Sequence, residues 1–149
     1  MTTKETLADA GLKAMNILHR LILKSSGGRA LTSPFGMPAV ELTVKGRKSG
    51  LPRRTLLTAP IMNDDRVVLV ASKGGDDRDP EWFRNLVSDP DVEVKILNTG
   101  EVRRLRARVA SPEEKAAIWP TIVAAYKGYA GYQRRTQRDI PVVICEPVP

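Results

Sequence analysis

An unbroken apolar run at residues 67–71, Val-Val-Leu-Val-Ala, constrains the fold more than any other feature of the chain. A run without polar residues predicts a strand buried on both faces, because a half-exposed strand would alternate apolar and polar positions. The run ends at Ser72-Lys73-Gly74-Gly75. The two glycines permit positive φ angles or a close approach of the backbone to a ligand, and Lys73 places a cation beside exposed N–H groups. This strand end is therefore either a candidate anion cradle or a plain glycine turn.

Several further strands are predicted to have one buried face. Apolar and polar residues alternate near residues 40–45, 92–96 and 104–109, and a final apolar strand covers residues 140–145. Residues 53–61 are predicted to form one strand that makes a hairpin with the apolar run across a turn at residues 63–65. The pattern gives about six strands in hairpin-length pairs, which favours a mainly antiparallel sheet or small barrel with helices packed outside.

Three helical segments have recognisable boundaries. An amphipathic helix is predicted over about residues 5–24, either packed on the core or lying on a membrane surface. A short helix is predicted to begin at Asp79-Pro80-Glu81, with Asp79 as its cap. Ser111 and Glu114 form a capping-box pattern for a third helix, which Pro120 is expected to kink or split.

The chain carries 24 Lys and Arg residues against 17 Asp and Glu, a formal net charge of +7. This surplus favours an anionic partner, which could be nucleic acid, lipid head groups or an acidic cofactor. Arg104, Arg106 and Arg108 alternate with apolar residues and predict one strongly cationic strand face. A nucleic-acid-binding module is disfavoured, because aromatic residues are only 5% and do not interleave with the arginines.

The remaining composition predicts one cytoplasmic domain over residues 1–149. The single cysteine, Cys145, has no partner for an internal disulfide, which suits a reducing compartment. The single histidine, His19, has no cluster of metal-ligating residues near it in sequence, so no metal site is predicted. No signal-peptide pattern opens the sequence, and no apolar run approaches the ~20 residues that span a bilayer.

A cationic turn is the first of three candidate functional clusters. Arg47, Lys48, Ser49 and Arg53 lie across a turn that is bracketed by glycines. Exposed N–H groups and charge-assisted hydrogen bonds suit a phosphate or a carboxylate. The alternative is a solvated basic turn.

Aromatic residues define the other two clusters. Trp82 and Asn85 are three apart on the predicted short helix and share one face, where they could contact a flat ring or simply pack in the core. Tyr126, Tyr129 and Tyr132 are all the tyrosines of the chain, spaced by three. Phenols can stack on a planar substrate, hydrogen-bond to it or deliver a proton, although a packed aromatic stripe has the same spacing. The intervening glycines predict a mobile segment.

The chain lacks the sequence patterns of hydrolytic enzymes. It has no Gly-x-Ser-x-Gly elbow, no Cys–His pair and no P-loop. Aromatic residues combined with anion cradles instead favour a bound cofactor that supplies the chemistry itself.

Five motifs together resemble a known family. They are the basic turn at residues 46–53, the segment 71–75, the helix at residues 80–90, the run from Trp119 to Gln133 that holds the three tyrosines, and residues 138–142. In order and approximate spacing they are similar to the deazaflavin-dependent nitroreductase and quinone reductase family of actinobacteria. The resemblance runs from about residue 40 to residue 147.

The resemblance implies an α+β fold with a mainly antiparallel six-stranded split β-barrel, of the FMN-binding split-barrel type, and helices outside it. It also implies coenzyme F-420, a deazaflavin whose acidic phosphate and oligoglutamate tail would account for the positive charge. By the same analogy the cofactor-binding residues are Arg47, Lys48, Ser49, Arg53, Ser72, Lys73, Gly74, Gly75, Pro80, Trp82 and Asn85.

The implied reaction is hydride transfer from the reduced deazaflavin to a quinone, a nitroaromatic compound or an activated enone. Tyr126, Tyr129 and Tyr132 match the substrate-pocket tyrosines. Ser72 and Tyr132 are the candidate hydrogen-bond and proton donors to the acceptor. An FMN-dependent reductase, a carrier without turnover and a basic binding module are the alternative functions. The protein is expected to be a monomer or homodimer without nucleic acid, with peripheral membrane contact through the N-terminal helix left open.

Two residues depart from the family pattern. Leu56 stands where the family often has proline, and Thr58 where an aromatic residue is common. A smaller group in place of an aromatic ring, as at Thr58, would widen the site.

Overall fold

A single antiparallel sheet organises residues 36–148, the part of the chain that the computed structural model describes. Its seven strands are β1 (Ala39–Lys45), β2 (Pro52–Thr58), β3 (Ile61–Met62), β4 (Val67–Val70), β5 (Asp91–Ile96), β6 (Val102–Val109) and β7 (Val142–Pro147). The helices in these residues are α1 (Glu81–Ser88), α2 (Pro112–Ala125) and α3 (Gly128–Arg135), with a short 3-10 turn at Lys73–Gly75.

The strand order β2-β1-β5-β6-β7-β4-β3 leaves the sheet open, with β2 and β3 at its two edges. The predicted α+β class and antiparallel pairing are confirmed. The count of six strands is wrong for residues 36–148, because the segment predicted as one strand breaks into β2 and β3 at Ala59 and Pro60. Proline has no N–H to donate to a neighbouring strand, so it interrupts a ladder.

The predicted hairpin partner of the buried strand is also wrong. Strand β4 pairs across the turn with the short β3, where Ile61 lies opposite Val68. Strand β2 pairs with β1 instead, where Leu57 lies opposite Val40. The break at Pro60 therefore sends the chain from one edge of the sheet to the other.

Strand β4 is buried on both faces, as its apolar run predicts. Val67 and Leu69 belong to one core cluster, which includes Trp82, Phe83 and Leu86 of α1. Val68 and Val70 belong to a second cluster, which includes Ile122 of α2, Tyr129 of α3 and Ile140. Each buried side chain of this size contributes about 1.5–3 kcal/mol, so β4 stabilises both layers at once. Its C-terminal end is consequently a rigid platform for residues 72–75.

The helix boundaries confirm two predictions, correct a third and exclude one of the two outcomes predicted at Pro120. The capping box of α2 is present, since Ser111 Oγ accepts from Glu114 N at 3.2 Å and Glu114 Oε1 accepts from Ser111 N at 3.0 Å. Helix α1 begins where predicted, but its N-cap is Pro80 and not Asp79. Helix α2 continues through Pro120 as one element, so the expected split is absent.

The helix predicted over about residues 5–24 lies outside the described residues. None of the helices within residues 36–148 is both long and apolar enough to cross a membrane.

Candidate functional site

The basic turn between β1 and β2 is joined to helix α1 by three hydrogen bonds. Arg47 N donates to Asn85 Oδ1 at 3.1 Å, and Arg47 Nη1 donates to the same oxygen at 2.8 Å. Arg47 Nη1 also donates to Glu81 Oε2 at 2.8 Å. Asn85 is only 6% exposed, so the turn is anchored on a buried amide. The cationic turn and the helix face with Trp82 and Asn85 thus form one site, although Arg47 and Asn85 are 38 residues apart in sequence.

A cavity of about 350 Å³ lies at this junction. Its cationic lining residues are Arg47, Lys48, Arg53 and Arg54, beside Ser49, Trp82 and Asn85. Within residues 36–148, no carboxylate lies within ion-pair distance of Lys48, Arg53 or Arg54. Their positive charge is therefore available to an anion. Ser49 Oγ accepts from Arg53 Nη2 at 3.3 Å and from Leu51 N at 3.2 Å, which fixes the shape of the turn.

Glu81 is the carboxylate in this cavity lining. The hydrogen bond from Arg47 lowers the pKa of Glu81, so the carboxylate is ionised at neutral pH. Its side chain is 68% exposed, whereas that of Arg47 is 19% exposed. Glu81 therefore holds the guanidinium of Arg47 against α1 from the solvent side.

Trp82 packs in the core and also borders the basic cavity. Its side chain is buried in the first core cluster, where its ring meets Phe83 edge-on with centroids 6.4 Å apart. It also lines the basic cavity. Pro80 is buried as the N-cap of α1, and it is absent from the lining of this cavity.

The glycine turn after β4 adopts the predicted left-handed backbone. Gly74 has φ 65° and Gly75 has φ 85°, and Lys73 also has a positive φ of 46°. A non-glycine residue in this region is uncommon and is typical of functional turns. Gly75 N donates to Ser72 O at 2.9 Å, whereas the N–H groups of Ser72 and Gly74 form no hydrogen bond within residues 36–148. The turn therefore presents both backbone donors and a lysine.

Helix α3 packs directly on this turn. A Cβ atom at Gly75 would lie 2.9 Å from Tyr132 O and 3.0 Å from Arg135 Cβ, so only glycine fits. Arg135 Nη1 donates to Gly74 O at 3.3 Å. The structure thus brings the glycine turn next to the tyrosine segment.

The three tyrosines form one aromatic cluster, although not as a stripe on a single helix. Tyr126 lies between α2 and α3, while Tyr129 and Tyr132 are in α3. The ring centroids of Tyr126 are 5.3 Å from Tyr129 and 6.1 Å from Tyr132. Gly128 has a packing role here, because a Cβ atom there would lie 2.3 Å from the Tyr126 ring.

The hydroxyl groups of the three tyrosines differ in their burial and their hydrogen-bond partners. Tyr126 and Tyr132 place their hydroxyl oxygens 3.3 Å apart. Burial, followed by this hydrogen bond, raises the pKa of Tyr132 to about 12, so the phenol keeps its proton at neutral pH. Tyr129 is 6% exposed, and burial raises its pKa as well. Its hydroxyl lies 3.3 Å from Thr58 Oγ1 and 3.8 Å from Met37 Sδ, so it points away from solvent.

Arg138 and Arg54 are site residues that were missing from the predicted set. Arg138 donates to the carbonyl oxygens of Ala71, Ser72 and Asp76 at 2.8–3.1 Å and to Asp79 Oδ1 at 2.9 Å. The sequence signal that could have identified Arg138 is its position in the motif at residues 138–142. Arg54 is adjacent to Arg53 in β2 and lines the basic cavity with it.

The predicted site residues consequently fall into two groups. One group is the basic cavity, with Arg47, Lys48, Ser49, Arg53, Trp82 and Asn85. The other is the glycine turn with the tyrosines, namely Ser72, Lys73, Gly74, Gly75, Tyr126, Tyr129 and Tyr132. Pro80 lies in the segment that connects them.

Comparison with known proteins identifies relatives of this chain. A family model described as F420H(2)-dependent quinone reductase matches residues 17–147. An F420H(2)-dependent quinone reductase of Mycobacterium tuberculosis is 37% identical over 132 residues, which cover 85% of this chain and 86% of the relative.

Two solved structures show the same fold. An F420-H2 dependent reductase is 38% identical with a TM-score of 0.65, and the match covers 73% of this chain and 94% of that chain. A structure described as a domain-swapped dimer is 33% identical with a TM-score of 0.67, and the match covers 89% of this chain and 96% of that one.

Proposed function

The chain belongs to the F420H(2)-dependent quinone reductase family, and on that premise we propose that it passes a hydride from reduced coenzyme F-420 to a quinone. It is an oxidoreductase with reduced F-420 as its cofactor. Nitroaromatic compounds and activated enones are further proposed acceptors, because they are electron-poor like quinones.

The basic cavity is the single observation that best supports the proposal. Lys48, Arg53 and Arg54 line it without a carboxylate partner in residues 36–148. An acidic phosphate and oligoglutamate tail is the kind of ligand that such a cluster stabilises through charge-assisted hydrogen bonds. The residues present therefore fit the coenzyme. When bound, the reduced deazaflavin supplies the hydride.

The two sides of the basic turn have different proposed roles. Arg47 is held by Asn85 and Glu81, so its main role is to fix the turn on α1. Lys48, Ser49, Arg53 and Arg54 are proposed to contact the acidic tail. Trp82, beside the anchored Asn85 and the capping Pro80, is proposed to frame the flat ring system.

The glycine turn is proposed to bind the phosphate and the ring edge. Ser72 and Gly74 offer backbone N–H groups there, and Lys73 offers a cation. Preorganised donors of this kind stabilise developing negative charge, because they do not have to reorient during the reaction.

The tyrosines are proposed to bind the acceptor and to supply its proton. A hydride that reaches a quinone leaves negative charge on an oxygen, which a phenol or the Ser72 hydroxyl can neutralise. Tyr132 is the proposed proton donor, because α3 packs it against the glycine turn and its hydroxyl lies 3.3 Å from that of Tyr126. Tyr129 is proposed to form the pocket floor with Thr58.

Fluorescence titration with F-420 and with FMN, followed by an assay of quinone-dependent oxidation of the reduced coenzyme, tests the proposal. We expect saturable F-420 binding, weaker FMN binding and turnover with a quinone. Tighter binding of FMN would contradict the cofactor assignment. Binding of F-420 without turnover on any acceptor would identify a carrier instead.

We further propose that residues 1–149 form one reductase domain, since the family match spans residues 17–147. The open sheet is proposed to curl into the split barrel that the family resemblance implies. A cytoplasmic monomer or homodimer is proposed, in keeping with the buried thiol of Cys145, whose pKa burial raises to about 12. Light scattering on the purified chain distinguishes the two oligomeric states.

A further inference from the structure

The Arg138 side chain binds residues on both sides of the glycine turn. Its guanidinium donates to Ser72 O at 2.9 Å and to Ala71 O at 3.1 Å through Nη2, and to Asp76 O at 2.8 Å through Nε. Nη1 donates to Asp79 Oδ1 at 2.9 Å. All three guanidinium nitrogens are therefore used on residues that enter or leave the turn. A planar fork with several fixed donors can do this, whereas the single ammonium of a lysine cannot reproduce the geometry.

The backbone of the same arginine is fixed from the tyrosine side. Gln133, which follows Tyr132 in α3, donates through Nε2 to Arg138 O at 2.8 Å. Gln133 Oε1 accepts from Ile140 N at 3.0 Å and from Lys115 Nζ at 2.9 Å. The Arg138 side chain is 15% exposed, so its bonds are shielded from water. One short segment thus ties the glycine turn to the helix that carries Tyr132.

We propose that Arg138 is a positioning residue that holds the Ser72–Gly75 turn in its binding geometry and in register with Tyr132. Arg138 contacts carbonyl oxygens, and the N–H groups of Ser72 and Gly74 are left for the ligand. Because a carbonyl and the following N–H share one peptide plane, the bond to Ala71 O fixes the direction of the Ser72 N–H, and the bonds to Ser72 O and Asp76 O hold the two ends of the turn that carries Gly74. The proposal rests on the proposed function, because it assigns the turn to the coenzyme.

Hydrogen exchange of the coenzyme-free protein tests the structural half of this proposal. In R138K and R138M, we expect the hydrogen-bonded amides of Gly75, Asp76 and Arg78 to exchange about tenfold faster than in the wild type, while those of β1 and β5 keep their rates. D79N keeps an acceptor oxygen but removes the negative charge that strengthens one bond, so it is expected to give a smaller increase of about threefold. If neither Arg138 variant folds, the exchange rates of D79N decide whether the contact with Arg138 holds the turn.

Coenzyme titration tests the positioning half. We expect R138K to weaken F-420 binding about tenfold and to leave the KM for the quinone within about twofold of the wild type. R108K is the matched control, because Arg108 also bridges two elements, through Glu114 and Glu146, and lies outside the site. It is expected to lower the melting temperature without changing coenzyme affinity.

Unchanged exchange of the Gly75, Asp76 and Arg78 amides in R138K and D79N would overturn the inference. So would faster exchange in R138K without any loss of coenzyme affinity. If the wild type fails to bind F-420 at all, the proposed function fails, and the exchange rates alone then decide whether Arg138 holds the turn.

Discussion

The arginines of strand β6 and the cations of the basic turn are alike in sequence and different in the structure. Arg104 lies opposite Glu93, and Arg106 lies opposite Asp91, with N–O distances of 3.4 and 3.5 Å. Arg108 contacts both Glu114 and Glu146. In the basic turn, Lys48 and Arg53 have no such partner among residues 36–148.

The difference shows that the number of cations in a segment does not define an anion site. Strand register places a carboxylate across from Arg104 and Arg106, and Glu114 and Glu146 pair with Arg108, so the predicted cationic face is largely neutralised. The basic turn instead projects beyond the paired strands towards α1, whose Glu81 contacts Arg47. A nucleic-acid surface along β6 is therefore disfavoured.

The largest expected effect comes from removing the turn cations. A K48A/R53A/R54A variant should weaken F-420 binding on the order of 10³-fold, because charge-assisted hydrogen bonds contribute about 1.5 kcal/mol or more each. Fluorescence titration of the coenzyme measures this. The R104A/R106A variant is the matched control and should bind F-420 within about twofold of the wild type. Equal losses in both variants would mean that net charge alone determines binding.

The second-largest effect is expected on turnover and not on coenzyme binding. Replacing Tyr132 by phenylalanine should lower kcat roughly 10²-fold, as expected for loss of a positioned proton donor, and leave F-420 affinity unchanged. Steady-state quinone reduction measures kcat, and the titration measures affinity. Y126F is the comparison variant, since its phenol is the hydrogen-bond partner of Tyr132. Unchanged turnover in Y132F would remove Tyr132 from this role.

Local patterns in the sequence were sufficient to predict much of the fold. The burial of β4 and the capping box of Ser111 depend on residues within a few positions of each other. The break at Pro60 and the pairing of β2 with β1 were mispredicted, because strand partners are chosen over long distances. The motifs also predicted the cationic turn and the tyrosines, which the structure places in two groups.

Local patterns could not predict the contacts that acidic side chains make with residues far away in the sequence. Asp79 has the sequence position of a helix cap, but its carboxylate accepts from Arg138, 59 residues later. The acids opposite Arg104 and Arg106 are likewise known only from the register of β5 with β6. Whether a charge is free or paired is a property of the folded sheet.

A smaller effect is expected at the carboxylate in the basic cavity. E81Q should tighten F-420 binding about threefold, because it removes an exposed negative charge while Asn85 still holds Arg47. E113Q, on α2, controls for the change in net charge. Weaker binding in E81Q would show that Glu81 is needed to hold the turn in place.

The smallest effect concerns stability, and it tests the structural role of the paired arginines. The hydrogen bond from Arg108, followed by that from Ser111 N, lowers the pKa of Glu114 from 4.5 to about 2. A depressed folded-state pKa stabilises the protein above pH ~4.5, and this contribution is lost as the pH falls towards 2.

Thermal melts of the wild type and E114Q between pH 7 and pH 2 measure this contribution. We expect E114Q to melt about 1–3 °C lower at pH 7, with the difference vanishing below pH ~2. The capping box is altered in the same variant, so E113Q, in the same helical turn, serves as the control. A difference that is constant with pH would assign the loss to the cap and not to the ion pair.

The central claim is that Lys48, Arg53 and Arg54, which have no ion-pair partner within residues 36–148, bind the acidic tail of the coenzyme. Titration of the wild-type protein with intact F-420 and with the same deazaflavin lacking its phosphate and glutamates tests this most directly. We predict that the truncated compound binds at least about a hundredfold more weakly, and that only the intact coenzyme shows strongly salt-dependent affinity. Equal affinities for the two compounds, independent of salt, would contradict the claim.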